Sequence, residues 1–310
     1  MGAMTLLVDQ RGSELKLDKN AKVVSLHYPD GTMHRVGLYA LRRIIVSGDV
    51  NLPATLLRAA AEANVSVVLL PGRGKGNGVN LFPYLESNLK LRLAQYRAYF
   101  DTEVCLSLAQ QIAVAKIQAQ SSWLARHNLS CDFSLSIADG LRAPDNATLM
   151  GLEGSVAKKY FAKWRSLWDN AWGFKERNRR PPRDPINALL SLSYTLAGNH
   201  IGQWVNTYGL DVSIGFLHVP LKNRPSLALD LLEPVRPWID EWLWQQVHDG
   251  LLTPKQFTIN EGDGCRLDKS GRKVFFAQWF NCAEPWLRVP IRDSLAGLLR
   301  TLRKYSYPVE

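Results

Sequence analysis

Short runs of alternating or β-branched hydrophobic residues dominate the N-terminal part of the chain and predict β-strands. The predicted strands are Thr5–Val8, Val23–His27, Thr32–Val36 and Ile44–Ser47. Pro29-Asp30-Gly31, between the second and third of these, is a turn sequence typical of a β-hairpin. We therefore expect this part of the chain to be rich in β-structure.

A helix is predicted to interrupt these strands. Pro53–Ala63 has apolar residues at helical spacing, and proline suits the first turn of a helix. A buried strand, Ser66–Leu70, and a returning strand, Val79–Pro83, flank the glycine-rich segment Gly72–Gly78. Such a segment can cradle phosphate, but this one lacks the Gly-Lys-Ser/Thr ending of a phosphate-binding loop. A flexible hairpin loop with two positive charges is therefore the favoured interpretation.

The hydrophobic period becomes helical from Leu85 and stays so to about Leu129, and most of the remaining chain has the same pattern. Phe257–Phe276 is an exception and is predicted to form a β-hairpin with its turn at Lys269-Ser270-Gly271-Arg272. The predicted fold class is α+β. A β-rich domain of residues 1–84 precedes a larger, mostly α-helical domain of residues 85–310.

Composition narrows the classes of function. The 310 residues carry a formal charge of +10, a surplus that favours a polyanionic partner such as nucleic acid. The four cysteines lack the close spacing of a zinc or redox motif, so reduced thiols are expected. The sequence shows neither a membrane span nor a signal peptide, which makes a cytoplasmic protein the expectation.

Gly151-Leu152-Glu153-Gly154-Ser155 precedes a predicted helix, Val156–Trp172, whose tryptophans recur every four residues. A stripe of this kind is more often part of a hydrophobic core than a platform for stacking bases. Glu153 is predicted to lie in the first helical turn. A carboxylate there commonly complements the helix dipole, so by itself Glu153 would not indicate a functional site.

A basic segment follows, because the chain has nine Lys or Arg and three Asp or Glu between Lys158 and Asp184. Arginine binds phosphate through its planar guanidinium, and the prolines of this segment prevent a regular helix. We interpret it as a DNA contact rather than a solvated loop. The candidate DNA-binding residues are Arg177, Arg179, Arg180, Arg183 and Asn187.

His218 ends an apolar run, and Asp230 and Glu233 lie three residues apart in a leucine-rich helical pattern. Histidine with carboxylates is a plausible set of ligands for a divalent metal. A lone histidine after an apolar run is more often structural. The two acids are harder to explain in that way, because a buried, unpaired charge is costly.

Together these segments resemble the CRISPR-associated integrase family, the first of the two universal adaptation proteins. The matching stretches are Gly-Leu-Glu-Gly-Ser from Gly151, Arg-Pro-Pro-Arg-Asp-Pro-Ile-Asn-Ala-Leu-Leu-Ser from Arg180 with Tyr194 after it, Gly-Phe-Leu-His from Gly215, and Ser-Leu-Ala-Leu-Asp-Leu-Leu-Glu-Pro-Val-Arg-Pro from Ser226. Gln95-Tyr96 and Ala115-Lys116-Ile117 with Gln120 are weaker matches. Each motif is modest, but their ordered combination is specific and covers nearly the whole chain.

The resemblance implies a catalytic site for a Mg²⁺ or Mn²⁺ ion, with Glu153, His218 and Glu233 as the metal ligands. It makes Asp230 a further catalytic acid that need not touch the metal, and it places Asn187 beside the site. The implied reaction is transesterification, in which the 3′-hydroxyl of a captured DNA fragment attacks the CRISPR repeat.

The resemblance also implies partners. These are double-stranded and branched DNA, a second copy of this chain bound through the β-rich domains, and a dimer of the small second adaptation protein, which completes a heterohexamer. No membrane is expected among them. Two alternatives stay open, namely an integrase of a mobile element with the same fold and a catalytically silent DNA-binding scaffold.

Overall fold

A computed structural model of the protein describes residues 4–70, 78–81, 89–129, 131–179, 181–260 and 264–305. The chain divides into two compact units, Met1–Glu86 and Ser87–Glu310. The predicted boundary between residues 84 and 85 and nearly all of the glycine-rich Gly72–Gly78 segment lie outside the described residues.

The first unit is built mainly from strands. They are β1 Met4–Val8, β2 Glu14–Asp18, β3 Val23–His27, β4 Met33–Gly37, β5 Leu41–Val46, β6 Ser66–Leu69 and β7 Val79–Leu81, with the helix α1 Ala54–Glu62 between β5 and β6. One sheet has the order β1-β5-β6-β7, in which β7 alone is antiparallel to its neighbour. The other sheet, β2-β3-β4, is antiparallel.

Alternating side chains of these strands form the core of the first unit. Val24 and Leu26 of β3 are buried, as are Leu15 of β2 and Leu56 of α1. In the predicted hairpin, the Asp30 carboxylate accepts a hydrogen bond from the Thr32 backbone at 2.9 Å. The predicted strands and helix are confirmed within a few residues. Strand β2 was missed, although its leucines alternate with charged residues in the way that a half-buried strand requires.

The second unit is mostly helical. Its helices are α2 Leu89–Phe100, α3 Thr102–Arg126, α4 Ser134–Arg142, α5 Asn146–Trp164, α6 Pro185–Thr207, α7 Ser226–Leu232, α8 Arg236–His248, α9 Lys269–Gln278 and α10 Glu284–Lys304. Helix α3 packs against α4, α5 and α8 and against the 3₁₀ turn Glu233–Val235, and α6 packs against α7 and α8. Helix α3 thus lies beside both segments that carry the candidate acids.

The tryptophan-rich segment differs from its prediction. Helix α5 begins at Asn146 rather than Val156, because the Asp145 carboxylate accepts a hydrogen bond from the Thr148 backbone at 2.8 Å and caps it. It ends at Trp164; Trp168 follows the short 3₁₀ helix Arg165–Leu167, and Trp172 ends a second one, Asn170–Trp172. The interpretation of this stripe as core is confirmed at its ends, since Trp164 and Trp172 are buried.

The hairpin turn predicted at Lys269–Arg272 is wrong. The paired strands are β8 Phe257–Asn260 and β9 Gly264–Leu267, and residue 269 begins helix α9. The Asp268 carboxylate caps this helix by accepting a hydrogen bond from the Gly271 backbone at 2.7 Å. Ser and Gly suit a first helical turn as well as a hairpin, so the local pattern was ambiguous.

Two expectations from composition can be compared with the described residues. Among these, no helix is long and apolar enough to cross a membrane. The cysteines at positions 105, 131, 265 and 282 are all free, as expected.

Candidate active site

Asp230 fixes the loop that carries His218. Its fully buried carboxylate accepts backbone hydrogen bonds from Phe216 at 2.5 Å, Leu217 at 3.1 Å and His218 at 2.8 Å. The same carboxylate contacts Nδ1 of His218 at 2.8 Å. A proton on Nδ1 satisfies that contact and leaves Nε2 as the ring nitrogen with a free lone pair. Asp230 therefore sets both the position and the tautomer of the histidine.

Gly215 makes this arrangement possible. A Cβ atom at that position would lie 2.8 Å from the Asp230 carboxylate, 2.8 Å from the His218 carbonyl oxygen and 2.8 Å from the Ser226 backbone. Two of these contacts are with backbone atoms, which cannot rotate away as the end of a side chain can. Glycine is thus required for the loop to approach α7 this closely.

Glu233 follows α7 directly and faces two cations. Its carboxylate lies 2.5 Å from Nζ of Lys116 and 3.0 Å from Nε of Arg236. Burial by itself would raise the pKa of Glu233, but Arg236 and Lys116 more than offset that effect and hold the pKa well below its usual range. Glu233 is therefore ionised at neutral pH. Its other oxygen lies 3.8 Å from Nε2 of His218, too far for a hydrogen bond.

Glu153 meets the same lysine from the opposite helix. Since α5 begins at Asn146, Glu153 lies beyond the first turn, and the prediction that placed it there is wrong. This removes the interpretation of Glu153 as a dipole-complementing residue. Its carboxylate instead contacts the Lys116 ammonium, which bridges it to Glu233. The structure thus brings Glu153 and Glu233 together on one buried lysine, with His218 beside Glu233 and Asp230 behind the histidine.

The chemistry of these side chains fits a divalent cation. Two carboxylates and the free Nε2 of an imidazole are ligands that Mn²⁺ and Mg²⁺ accept, and a carboxylate behind the imidazole is a common support for a metal ligand. The two acids already surround a positive charge, the Lys116 ammonium. Among the residues that the structure describes, no three His, Cys, Asp or Glu side chains form a ready-made metal site. The Lys116 ammonium lies between two of the candidate ligands, Glu153 and Glu233.

A second buried network supports Arg236. Asp240 accepts hydrogen bonds from Tyr160 at 2.9 Å and Tyr194 at 2.5 Å. The Arg236 guanidinium lies over the Tyr194 ring, 4.4 Å from its centroid, a cation–π contact. Burial raises the pKa of Asp240 to about 6, although both tyrosines and Arg236 oppose the rise. These contacts hold the cation that pairs with Glu233.

Residues 6–281 match the family model described as CRISPR associated protein Cas1. The chain belongs to the Cas1 family. A relative from Thermodesulfovibrio yellowstonii, named CRISPR-associated endonuclease Cas1 1, is 29% identical over 315 residues, with 96% of each chain covered. Another from Thermus thermophilus, CRISPR-associated endonuclease Cas1 3, is 32% identical over 277 residues, which cover 88% of this chain and 80% of the relative.

Solved structures share the fold of this Cas1 protein. A Cas1 protein from Thermotoga maritima superposes with a TM-score of 0.86 at 24% identity and covers 96% of this chain and 97% of that one. A casposase bound to its integration product has a TM-score of 0.85 at 24% identity, covering 99% and 94%. The Cas6-RT-Cas1–Cas2 complex has a TM-score of 0.78 at 20% identity, covering 98% and 35%. These likenesses confirm the predicted fold class.

The basic segment of this Cas1 protein is partly internal scaffold. Asn187 is fully buried, and its amide bonds to Arg177, Asn178, Glu176 and Asp184. The prediction that Asn187 contacts DNA is therefore wrong. Its hydrogen bonds instead tie the segment to the start of α6.

The arginines of the segment differ in what they offer to DNA. Arg177 donates to Asn187 at 2.8 Å and to Ser191 at 3.3 Å, so the structure does not support a role for it in binding phosphate. Arg179 and Arg183 are exposed and remain predicted phosphate contacts. Arg180 lies outside the described residues.

Sequence reasoning missed several residues that shape this site. Lys116 belonged to a weakly matching stretch with no role assigned, although a lysine in an apolar helical run is a signal of a buried partner. Asn146 went unnoticed, and its amide donates to the backbone oxygens of Phe216 at 3.0 Å and Leu217 at 3.2 Å. Asp240 has no local signal, because its partners Tyr160 and Tyr194 come from other helices.

Proposed function

We propose that this protein is the metal-dependent DNA integrase and endonuclease of CRISPR adaptation. It joins the 3′-hydroxyl end of a DNA fragment to the CRISPR repeat by transesterification. The attacking oxygen forms a bond to phosphorus as the bond to the leaving 3′-oxygen breaks. Glu153 and Glu233 meet at one buried cation and His218 lies beside Glu233, in a chain of the Cas1 family, and this is the observation that carries the proposal. The names of the curated relatives, CRISPR-associated endonucleases, support it.

Glu153, His218 and Glu233 would hold the Mg²⁺ or Mn²⁺ ion. When bound, the ion supplies electrostatic stabilisation of the charge that develops on the phosphoryl oxygens. Asp230 keeps Nε2 of His218 turned toward Glu233 by occupying Nδ1. Arg236 and Lys116 keep Glu233 in the ionised form that a ligand requires.

DNA and protein partners are part of the proposal. The formal charge of +10 and the exposed Arg179 and Arg183 suit the phosphate backbone of double-stranded or branched DNA. The shared fold with a Cas1–Cas2 complex supports an assembly with the small second adaptation protein. A homodimer of this chain, and a heterohexamer built from two such dimers, are inferred from the family resemblance.

A branched DNA that mimics a half-integrated fragment tests the reaction directly. With Mn²⁺, the wild-type protein should reverse the joining and release the fragment while resealing the target strand. His218→Ala should release nothing yet bind the DNA almost as well, since phosphate contacts carry most of the affinity and the ion contributes mainly to rate. Release that persists in EDTA, or full activity of His218→Ala, would contradict the proposed site. Binding without release by the wild type would favour the silent scaffold.

A mobile-element integrase is the second candidate, because a casposase bound to its integration product shares the fold. The two functions differ in the DNA ends that they join. Given equal amounts of short fragments and of DNA carrying terminal inverted repeats, an adaptation enzyme joins the fragments to a CRISPR repeat. Preference for the inverted repeats would favour the mobile-element function.

A further inference from the structure

Lys116 lies between two of the proposed metal ligands, Glu153 and Glu233. It extends from α3 and is 4% exposed, so its ammonium has little access to water. That ammonium contacts one carboxylate oxygen of Glu153 and one of Glu233. A cation that bridges the two acids would have to lie in this same place.

Two cations, Lys116 and Arg236, already face the two acids. Glu153 and Glu233 carry two negative charges, and Lys116 and Arg236 carry two positive charges in contact with them. A divalent ion between the acids would lie within a few ångströms of the Lys116 ammonium. Charges of the same sign at that distance repel strongly in a buried site. Lysine and ion therefore exclude each other from the space between the carboxylates.

We propose that Lys116 is a built-in counter-cation that holds the metal position in the DNA-free protein and is displaced when the ion binds. The inference rests on the proposed metal site. Displacement frees the Lys116 ammonium from both carboxylates, and the phosphodiester of bound DNA is an anion that can pair with it in their place. Ion and DNA thus raise each other's affinity, and by linkage the factor is the same in both directions. Lys116 therefore opposes metal binding until DNA is bound, so the metal-bound, active enzyme forms on DNA.

Substitution of Lys116 separates this role from a structural one. Lys116→Met removes the charge at nearly the same length, Lys116→Arg retains a cation, and Lys159→Met removes an exposed lysine of α5 as the control. Mn²⁺ binding is measured from the electron paramagnetic resonance signal of the free ion, with and without duplex DNA. In the absence of DNA, Lys116→Met should bind Mn²⁺ at least about tenfold more tightly than the wild type, a change of ~1.4 kcal/mol. Neither other variant should gain affinity.

Thermal unfolding gives a second readout that does not depend on activity. Lys116→Met leaves two neighbouring carboxylates without their shared partner, so it should melt below the wild type in EDTA. Mn²⁺ should raise its melting temperature more than that of the wild type, because an ion that binds only the folded state stabilises it by mass action. If the variant folds only when Mn²⁺ is present, that result supports the same inference.

The outcomes distinguish the inference from the function on which it rests. Equal Mn²⁺ affinity of the wild type and Lys116→Met, with equal stabilisation by the ion, would overturn the role of Lys116 and leave the metal site intact. Tighter binding by Lys116→Arg would also overturn it, because the competing charge is still there. Absence of Mn²⁺ binding in wild type and variant alike, with and without DNA, would remove the proposed metal site and this inference with it.

Discussion

Replacing Asp240 with asparagine should alter the pH dependence of stability in a way that the structure specifies. Asp240 is 1% exposed, and burial is the largest influence on its carboxyl group. The hydroxyls of Tyr194 and Tyr160 donate to it, and the positive charges of Arg236 and Arg177 lie nearby, but they offset burial only in part. The net effect raises the pKa of Asp240 from 3.8 to about 6.

The sign and size of the effect follow from proton linkage. Between pH 4 and 6, the folded state holds a proton on Asp240 that the unfolded state has released. The contribution of Asp240 to stability is therefore fully present below the unfolded pKa and is lost as pH rises through the folded pKa. Because one pKa unit corresponds to about 1.4 kcal/mol, the loss amounts to ~3 kcal/mol by pH 7.

Asparagine cannot ionise, so Asp240→Asn should lack this contribution. Its amide oxygen can accept from one tyrosine, while the other hydroxyl loses an acceptor at a cost of about 1–3 kcal/mol. The free energy of unfolding of the variant should therefore be lower than that of the wild type at pH 4, and it should approach or exceed the wild-type value at pH 7.

Urea unfolding followed by tryptophan fluorescence, at fixed ionic strength from pH 4 to 7, measures the difference. Asp139→Asn, which removes an exposed carboxylate from α4, is the control for the loss of one charge. The free energy of unfolding of the wild type minus that of Asp240→Asn should fall by about 3 kcal/mol across this range. Two parallel curves would refute the argument that burial of Asp240 dominates its proton affinity.

Three further predictions concern the site and the basic segment. Gly215→Ala should lower strand-transfer activity strongly with little loss of DNA binding, because its Cβ would displace backbone 2.8 Å away; near-normal rates in the reversal assay would contradict this. Asp230→Ala should slow the reaction about 10–100-fold, and added Mn²⁺ should partly restore its rate, whereas it should restore the rate of Glu233→Ala, which lacks a ligand, much less. Equal recovery of the two rates across a Mn²⁺ titration would contradict the assignment of Glu233 as ligand and Asp230 as support. Arg179→Ala with Arg183→Ala should reduce the salt dependence of DNA affinity by about one unit of slope per lost contact, independent of sequence; an unchanged slope would make the segment a solvated loop.

The sequence by itself determined the layout of the fold and the candidate acids. Alternation of hydrophobic residues is a local property, so strands such as β3 and the helix α1 could be predicted where they occur. Glu153, His218, Asp230 and Glu233 were selected by ordered motifs, and the structure places their side chains together.

Local patterns failed where two structures suit the same residues. The residues Lys269–Arg272 suit a hairpin turn and a first helical turn equally well. The helix forms because the Asp268 carboxylate caps its N-terminus. Asn187 looked like a polar residue available to DNA. Only the fold shows that both atoms of its side-chain amide form hydrogen bonds within the protein.

Tertiary structure alone decided what surrounds the acids. Lys116 meets Glu153 across 37 residues of sequence, and Tyr160 meets Asp240 across 80. No periodicity encodes such pairs, because they depend on how α3, α5 and α8 pack rather than on the conformation of any one helix. A buried charge is tolerated only beside a partner, so packing, which chooses the partner, also decides which groups stay ionised in the site.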